Sequence, residues 1–486
     1  MKRFVCAIPF LLCLTFCSAP KSNPKPDPYV EPDPDIEDRE QDEINEGLSS
    51  KNDQFNLFFD YTSKIEIKLD FTNKSITNLA KYAEGNGNSN YLKNEMYHPC
   101  TGEITVNGMT NKYYELGARM RGNTSRDTHF IDENGHFVDG HYCHFKVSFS
   151  QTFDDEKDND YYIEPWETVE ARDARKDRKF GGMKKIDLKW NRNYDGTFTK
   201  EAYALKAFRD EGVLAQHSNL VLLTINTETD SRTMVYEAFE AVDKQLLKKA
   251  NSSDNSGDLY KCTYTDMGKA DLKDYSNNKI GVEGENYRPI YNLKTNEKTS
   301  DHGRMMNFID TINNTRGQTG EQFATAISAY LDIDNFLKYS ALCWVFGLPD
   351  DLRNNFNNYY IYFNSENKAL FLPYDNDRCL GIRNNWDIDC KYQTWNSKTA
   401  LGANTDEQSP IIFRLISGGS NNSWPVHEAS QNAYHDYCVT FANKYLDQTK
   451  FQEFTNKFYY SNKNTEEAGN GNDTFAVYAE AKLSTL

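Results

Sequence analysis

The sequence lacks several features that would assign a function directly. It has no excess of basic residues: 55 Lys and Arg stand against 72 Asp and Glu, and the net charge is −17. This balance argues against nucleic acid as a partner, because phosphate backbones require basic surfaces. The sequence contains no CxxC pair, which argues against a zinc or redox motif. It also contains no GxSxG or Ser/His/Asp pattern, which argues against a hydrolase.

Long apolar runs are absent after the first residues, so we expect no membrane-spanning helix. Residues 4–16 are apolar, follow Lys2 and Arg3, and are too short to cross a bilayer as a helix, which is typical of an export signal. The run ends in "LTFC", which resembles a lipobox and predicts lipidation of Cys17. An ordinary cleaved signal with an incidental Cys17 is the alternative.

An acidic, proline-rich segment follows at residues 18–50. It holds six of the fourteen prolines, a composition that keeps a chain extended and cannot form a core. We therefore predict a signal at residues 1–17, a disordered tether at 18–50, a β-rich N-terminal lobe at 51–250 and a mainly helical C-terminal lobe at 251–486. Within the last part, residues 251–300 are rich in Asn, Asp, Ser and Lys and are typical of an insertion.

The periodicity of the remaining chain indicates an α+β protein. Two lobes are expected because 486 residues are too many for one small core. Alternating apolar residues at 53–71 and 100–150 predict strands. One helix is predicted to begin at Thr199, whose hydroxyl can cap it, and a second to span about residues 334–346.

The most informative stretch predicts a β-hairpin. Strand-like runs at residues 358–363 and 369–373 flank the turn-rich "NSENK". A hairpin brings its two open ends together. We therefore expect Asp350 and Asn355, before the first strand, to lie beside Asp375 and Asp377, after the second.

Such a pair of acidic loops is suited to phosphoryl transfer from Mg-ATP. One carboxylate can orient the attacking hydroxyl, while a second carboxylate and an amide oxygen hold Mg²⁺. Protein kinases place an Asn five residues after the catalytic Asp, and Asp350 and Asn355 show this offset. The alternative is a set of Asx-rich loops that cap strands and helices.

The segment resembles the CotH (spore coat protein H) kinase-like family, whose members carry an Asp before an "NNYYLY"-type strand and a "PWDYD"-type strand end. Here these pieces are Asp350, "NNYYIY" and "PYDND". Earlier in the chain, "RMRGNTS", "FKVSF" and "MVYEAFEAVD" match three further family motifs in the same order. The resemblance covers roughly residues 100–440 and assigns the family glutamate to Glu240.

The resemblance implies an atypical protein-kinase fold and phosphorylation of Ser/Thr in envelope or spore-coat proteins. It assigns Asp350 and Asn355 to catalysis, and Asp375, Asn355 and Asp377 to the metal. Two departures stand out: Tyr374 replaces the usual strand-end Trp, and the doubled Asp350-Asp351 leaves the catalytic position open by one residue.

The resemblance also implies a nucleotide site. Arg119 and Arg121 alternate on a strand, so both side chains should lie on one face, and Gly122 lets the backbone approach a phosphate. Asn123 and Ser125 offer hydrogen-bond donors to that phosphate. The alternative is a hairpin turn with solvated arginines.

We expect Lys146 to reach the ATP phosphates with Glu240 holding it, as in other kinases. The alternative is a lysine that extends from a sheet edge into solvent. His141 and His144 flank Cys143, but two further metal ligands are not evident, so we interpret this stretch as strand surface.

Three functions follow from these patterns. The first is an exported, envelope-associated Ser/Thr protein kinase, with no partner among nucleic acids and a membrane contact only through a lipid anchor at Cys17. The second is a surface adhesin or pseudokinase on the same fold. The third is an envelope enzyme that uses ATP on a non-protein acceptor.

Overall fold

The computed structural model describes residues 39–83, 93–154, 166–251, 253–284, 287–348, 350–353, 355–382, 392, 409–418, 424–461 and 474–486. The expected export signal, Cys17 and most of the tether lie outside these residues. Residues 39–50, which the sequence assigns to the tether, are described, and Glu43 pairs by backbone hydrogen bonds with Lys112. Within the described part of the chain, no helix combines the length and apolarity needed to span a bilayer.

Seven strands close into a barrel in the N-terminal half of the protein. The strand expected from residue 53 begins only at Ile65, because residues 51–58 form a helix. The strands are β1 (Ile65–Asp70), β2 (His98–Val106), β3 (Met109–Arg121), β4 (His144–Ser148), β5 (Lys185–Lys189), β6 (Ser218–Asn226) and β7 (Ser231–Glu240). Neighbouring strands pair antiparallel, except that β1 pairs parallel with β6 and so closes the barrel. Side chains alternate between an apolar interior and an outer face.

A second sheet of five strands has the order β12-β11-β8-β10-β9. Its strands are β8 (Leu259–Cys262), β9 (Ile280–Gly281), β10 (Tyr291–Leu293), β11 (Tyr359–Phe363) and β12 (Ala369–Pro373). The polar stretch 251–300, expected as an insertion, thus contributes three of these strands. β11 and β12 pair antiparallel from Tyr359 and Pro373 to Phe363 and Ala369, which confirms the predicted hairpin.

Twelve helices among the described residues surround the barrel and the second sheet, most of them in the C-terminal half. They are α1 (Lys51–Phe58), α2 (Asn73–Lys81), α3 (Val169–Asp177), α4 (Lys200–Asp210), α5 (Lys244–Ala250), α6 (Gly303–Asn314), α7 (Gly320–Ile327), α8 (Ile333–Phe346), α9 (Pro410–Ile412), α10 (Glu428–Tyr445), α11 (Gln448–Thr455) and α12 (Phe475–Leu483). A π-helical turn, Phe413–Ser417, follows α9. The protein is therefore an α+β protein.

The two predicted helices are confirmed as α4 and α8. α4 begins directly after Thr199, but the Thr199 hydroxyl does not cap it; the carboxylate of Asp195 accepts the hydrogen bond from the Lys200 backbone N–H instead, at 3.0 Å. α8 is capped by Asp332 and ends at Gly347, whose left-handed φ of 61° suits a glycine. α4 packs on α8, so the helix that follows β5 is fixed to the core of the C-terminal half.

Candidate active site between the barrel and the second sheet

The two acidic loops meet at the open end of the β11–β12 hairpin, as the sequence predicts. The amide of Asn358 donates a hydrogen bond to Asp350 at 3.1 Å. Tyr374 and Asp375 follow Pro373, the residue that pairs with Tyr359. The negative charge of Asp375 contributes to the raised pKa of Asp350, so the two carboxylates are close enough to act on each other.

Asp350 is held by three asparagine amides. Asn355 donates to one of its carboxylate oxygens, and Asn357 and Asn358 donate at 3.5 and 3.1 Å. Burial nevertheless raises the pKa of Asp350 to about 6. A carboxylate with this pKa can accept a proton near neutral pH and return it easily, which suits a general base. The side-chain amide of Asn355 donates its N–H to Asp350, so its carbonyl oxygen can bind a cation.

Asp351 has a different environment from Asp350. It is only 4% exposed, and its carboxylate accepts hydrogen bonds from the backbone N–H and the Nε of Arg353 at 2.8 and 2.9 Å. This ion pair is internal to the loop. The geometry therefore favours Asp350 over Asp351 as the residue that faces a substrate.

Asp375 ends the second strand in a left-handed conformation, with φ of 58°. Such a backbone costs roughly 1 kcal/mol for a non-glycine residue and often occurs at functional sites. Its carboxylate lies 2.9 Å from Lys189 and 3.7 Å from Arg121, and the side chain is 34% exposed. Burial raises the pKa of Asp375, but Lys189 and Arg121 outweigh it and hold the pKa well below its usual range.

Lys189 and Glu201 are two residues that sequence reasoning missed. Lys189 is the last residue of β5, Glu201 lies in the first turn of α4, and their side chains pair at 2.7 Å. Glu201 also accepts a hydrogen bond from the backbone N–H of Asn376 at 2.8 Å, next to Asp375. Lys189 thus joins a strand of the barrel, a helix and the strand end of the second sheet. The sequence could have indicated this pair, because a lysine at the end of a strand in "LKW" is followed by a glutamate at the start of a helix in "TKEAY".

Three carboxylates, those of Glu201, Asp375 and Asp377, act on the charge of Lys189. The pKa of Glu201 is raised to about 7, mainly by burial and also by the charges of Asp377 and Asp375, while Lys189 lowers it. The pKa of Asp377 is raised as well, by burial and by the charge of Asp375. Carboxylates that disfavour each other's ionisation in this way are relieved by a divalent cation.

The donor set fits Mg²⁺, which prefers carboxylate and amide oxygens. Asp375, Asp377 and the carbonyl oxygen of Asn355 would supply them. No group of three or more His, Cys, Asp or Glu side chains is already arranged around a metal position within the described ranges.

Arg121 and Lys146 lie on the outer face of the barrel, which faces the second sheet. Both pair with Asp187 on β5, at 2.9 Å each, and Arg121 also donates to the Tyr374 hydroxyl at 2.9 Å. Arg119 lies on the same face, as the alternation predicts, and is cross-strand to Lys146, but its guanidinium pairs with Glu95. Asp187 is a further residue that sequence reasoning missed.

The expected contact between Lys146 and Glu240 is wrong. Glu240 is 2% exposed, continues the inward-facing row of β7, and pairs with His217 at 2.9 Å and with Lys249. Lys146 faces outward, so strand alternation places the two side chains on opposite faces. Glu240 instead lines a separate cavity of about 310 Å³ with Phe55 and Arg209.

The loop after β3 folds back at Gly122, whose φ is 100°. A Cβ on Gly122 would lie 1.8 Å from the Ser125 hydroxyl oxygen, so the turn requires glycine. Arg192 donates to the hydroxyl and carbonyl oxygens of Thr124 at 3.0 and 2.8 Å. The positive charge of Arg192 also acts on Asp377, which places the loop with Asn123 and Ser125 near the acidic residues.

We expected His144 on the strand surface, but it is buried beside this cluster and only 2% exposed. Burial and the charges of Lys189 and Arg121 hold its pKa well below the usual range, so the ring is neutral. Its Nδ1 accepts a hydrogen bond from the Trp190 backbone N–H at 3.1 Å, which places the ring proton on Nε2. His144 is thus a neutral donor among cations.

A comparison with protein families settles the family. The family described as CotH kinase protein matches residues 146–461. The chain belongs to the CotH kinase family. The match begins at Lys146, so the loop with Arg119, Arg121, Asn123 and Ser125 precedes it. A search of curated proteins found no match.

Proposed function

We propose that this CotH-family protein is an active protein kinase that transfers the γ-phosphate of ATP to Ser/Thr hydroxyls of surface or envelope proteins. One observation carries the proposal: Lys189 joins Glu201 and Asp375, at 2.7 and 2.9 Å, beside the loop of Asp350 and Asn355. Protein kinases use the same residue types, a strand lysine, a helix glutamate and a metal-binding aspartate, to hold ATP for transfer.

In this proposal the protein has the two lobes of an atypical protein kinase. The barrel is the N-terminal lobe, the helices with the second sheet form the C-terminal lobe on which α4 packs, and the nucleotide lies between them. Lys189, Arg121 and the loop from Gly122 to Ser125 would contact the phosphates, with Lys146 on the same face. The neutral His144 would donate its Nε2–H to a phosphate oxygen.

The transfer itself needs few groups. The acceptor oxygen forms a bond to the γ-phosphorus as the bond from phosphorus to the β–γ bridging oxygen breaks, and ADP leaves. Asp350 orients the acceptor hydroxyl and takes its proton. Mg²⁺, held by Asp375, Asp377 and Asn355, would neutralise charge on the phosphates.

We also propose that the protein is exported and anchored in the envelope through Cys17, because the apolar run and "LTFC" precede a long acidic tether. The acceptors would then be envelope proteins.

A phosphotransfer assay tests the proposal. Purified protein is incubated with Mg-ATP and envelope extract, and new phosphate on Ser and Thr is mapped by mass spectrometry. We expect Mg-dependent transfer that is lost in Asp350→Asn. The matched control is Asp53→Asn, which makes the same carboxylate-to-amide change at an exposed position on α1.

Binding of Mg-ATP without transfer to any protein, including the enzyme itself, would contradict the kinase proposal and favour a pseudokinase. Absence of both ATP binding and transfer would favour an adhesin. Transfer only to a non-protein acceptor would contradict the acceptor class but not the chemistry.

A further inference from the structure

Five cations lie where the barrel faces the second sheet, and we name them the basic cleft patch. They are Arg119, Arg126, Lys261, Arg288 and Lys294. Glu95 pairs with Arg119 and, at 2.6 Å, with Arg126 on the barrel side. Glu283 pairs with Arg288 and Lys294 at 3.5 and 3.0 Å on the sheet side. Glu95 and Glu283 thus each pair with two of the five cations.

The two sides of the patch face each other. The charges of Arg288 and Glu283 both act on Glu95, although these two residues lie between β9 and β10 of the second sheet and Glu95 precedes β2 of the barrel. Burial lowers the pKa of Arg126 to about 10, and repulsion from Arg119 and Arg288 contributes. Arg126 also donates to the backbone carbonyls of Ala83, Asn94 and Gly122, and its side chain is 2% exposed, so an added anion would meet the other four cations.

Lys261 lacks a counter-ion in the part of the chain that the structure describes. Its ammonium group lies 4.8 Å from the centre of the Tyr374 ring, on the face of β8 that lines the cleft. Burial lowers the pKa of Lys261, and repulsion from Arg288 and Lys294 lowers it further. An anion at this point would relieve that repulsion.

The register of the second sheet places Lys261 close to the reacting groups. Lys261 is cross-strand to Tyr360 on β11. Asn358, two residues before Tyr360 and directly before β11, donates to Asp350 at 3.1 Å. Two residues along a strand span about 7 Å. In an extended acceptor peptide whose hydroxyl lies at Asp350, an anionic group bound at Lys261 would therefore be two or three residues from that hydroxyl.

In the proposed kinase, Lys189, Arg121 and the loop after β3 contact the ATP phosphates. The five cations of the patch are not needed for that contact. The patch is also not part of a generally basic surface, because the net charge of the protein is −17. Arginine and lysine clusters of this kind recognise carboxylate and phosphate groups on peptides.

We propose that the basic cleft patch binds an anionic group of the acceptor polypeptide, so that the enzyme acts on Ser/Thr in acidic segments. The anionic group is a carboxylate or a phosphate already attached two or three residues from the acceptor hydroxyl. This inference rests on the proposed kinase function. It predicts that one phosphate on a serine-rich acceptor promotes the next.

Peptide kinetics test the acceptor preference. Four peptides share one acceptor Ser and differ in the residue placed two and three positions from it, which is Asp, phosphoserine, Gln or Lys. The kcat/KM of the enzyme is measured for each peptide. We expect the Asp and phosphoserine peptides to exceed the Gln peptide at least tenfold, with the Lys peptide poorest. Comparing the Asp and phosphoserine arms distinguishes carboxylate from phosphate as the preferred group.

Lys261→Gln and Arg288→Gln should remove most of this preference and leave the KM for ATP unchanged. The matched control is Lys457→Gln, an exposed lysine outside the cleft, which should behave as the wild type. Thermal melting shows whether each variant is folded. Equal rates for acidic and neutral peptides in the wild type would overturn the inference, as would a raised KM for ATP with unchanged acceptor preference.

A binding assay separates failure of the inference from failure of the kinase proposal. Fluorescent acidic peptides with Ala in place of Ser are titrated without ATP, and anisotropy is followed. Binding that Lys261→Gln weakens and Lys457→Gln leaves intact supports the patch even if no transfer occurs. Equal binding of acidic and neutral peptides overturns it even if the protein is an active kinase.

Discussion

The ammonium group of Lys189 lies 2.9 Å from the carboxylate of Asp375, and this contact joins the barrel to the end of the β11–β12 hairpin. Burial lowers the pKa of Lys189, but Asp375 and Glu201 outweigh it, so the lysine remains charged. Together with Arg121, which contacts Asp375 and Tyr374, Lys189 therefore links the two halves of the candidate active site.

Lys189→Met should abolish Mg-ATP binding and lower the free energy of unfolding by about 3 kcal/mol, because it leaves Glu201 buried without its partner. Adding Glu201→Gln should recover part of the stability but none of the ATP binding. Chemical denaturation and isothermal titration measure both effects. Simple addition of the two destabilisations would show that the residues are not coupled.

The pKa of Asp350 predicts the pH dependence of transfer. Since Asp350 must be ionised to take the acceptor proton and its pKa is about 6, kcat/KM should rise through this pH and level off above it. A rate that stays constant between pH 5 and pH 8 would exclude Asp350 as the base. The pH profile of kcat/KM on one peptide decides this.

The same pKa predicts the effect of Asp350 on stability. The folded-state pKa of about 6 lies above the ordinary value of 3.8, so folding favours the protonated form and ionisation weakens the folded state as the pH rises between them. Asp350→Asn should therefore raise the melting temperature at pH 7, and the gain should vanish toward pH 4. A variant that is less stable at pH 7 would contradict this assignment.

Asp375→Asn and Asp351→Asn should fail in different ways. Asp375→Asn removes the charge that balances Mg²⁺, so Mg-ATP binding should weaken strongly while the fold persists. Asp351→Asn breaks the buried pair with Arg353, so stability should fall by roughly 2 kcal/mol with Mg-ATP affinity retained. If Asp351→Asn were stable and bound ATP without reacting, the catalytic position would be Asp351.

Glu240→Gln should leave ATP binding unchanged, because Glu240 holds His217 and Lys249 on the inward side of β7. Asp187→Asn should weaken ATP binding, because it frees Lys146 and Arg121 from their shared partner. Titration with Mg-ATP compares the two variants. If Glu240→Gln weakened ATP binding and Asp187→Asn did not, Glu240 and not Asp187 would be the residue that holds Lys146.

Cys17→Ala should release the protein from the membrane fraction if Cys17 is lipidated. Fractionation followed by mass spectrometry of the N-terminal peptide measures this. A wild-type protein that is already unlipidated and absent from membranes would contradict the anchor.

The hairpin and its acidic ends could be predicted because they depend on local signals. "NSENK" is a strong turn between two apolar runs, and a hairpin fixes which ends meet. Asp350, Asn355 and Asp375 are therefore placed together by about 25 consecutive residues, and the structure brings them together.

The charge partners of the barrel could not be predicted in the same way. Whether Lys146 meets Asp187 or Glu240 depends on the faces of three strands and on their order, in which β5 pairs with β7. The parallel pairing of β1 with β6, which closes the barrel, is likewise non-local. The strands at 259–293 lie in a polar stretch without alternation, so the sequence indicated an insertion there.

The parallel pairing of β1 with β6 has a consequence for how the chain folds. Ile67 pairs with Leu223, so the barrel cannot close until the chain between them has been synthesised and arranged. Pairings of such long range fold slowly, and until β6 arrives β1 presents an unpaired apolar edge to other chains. In the proposed exported protein, this delay would keep the N-terminal half unfolded while the chain crosses the membrane.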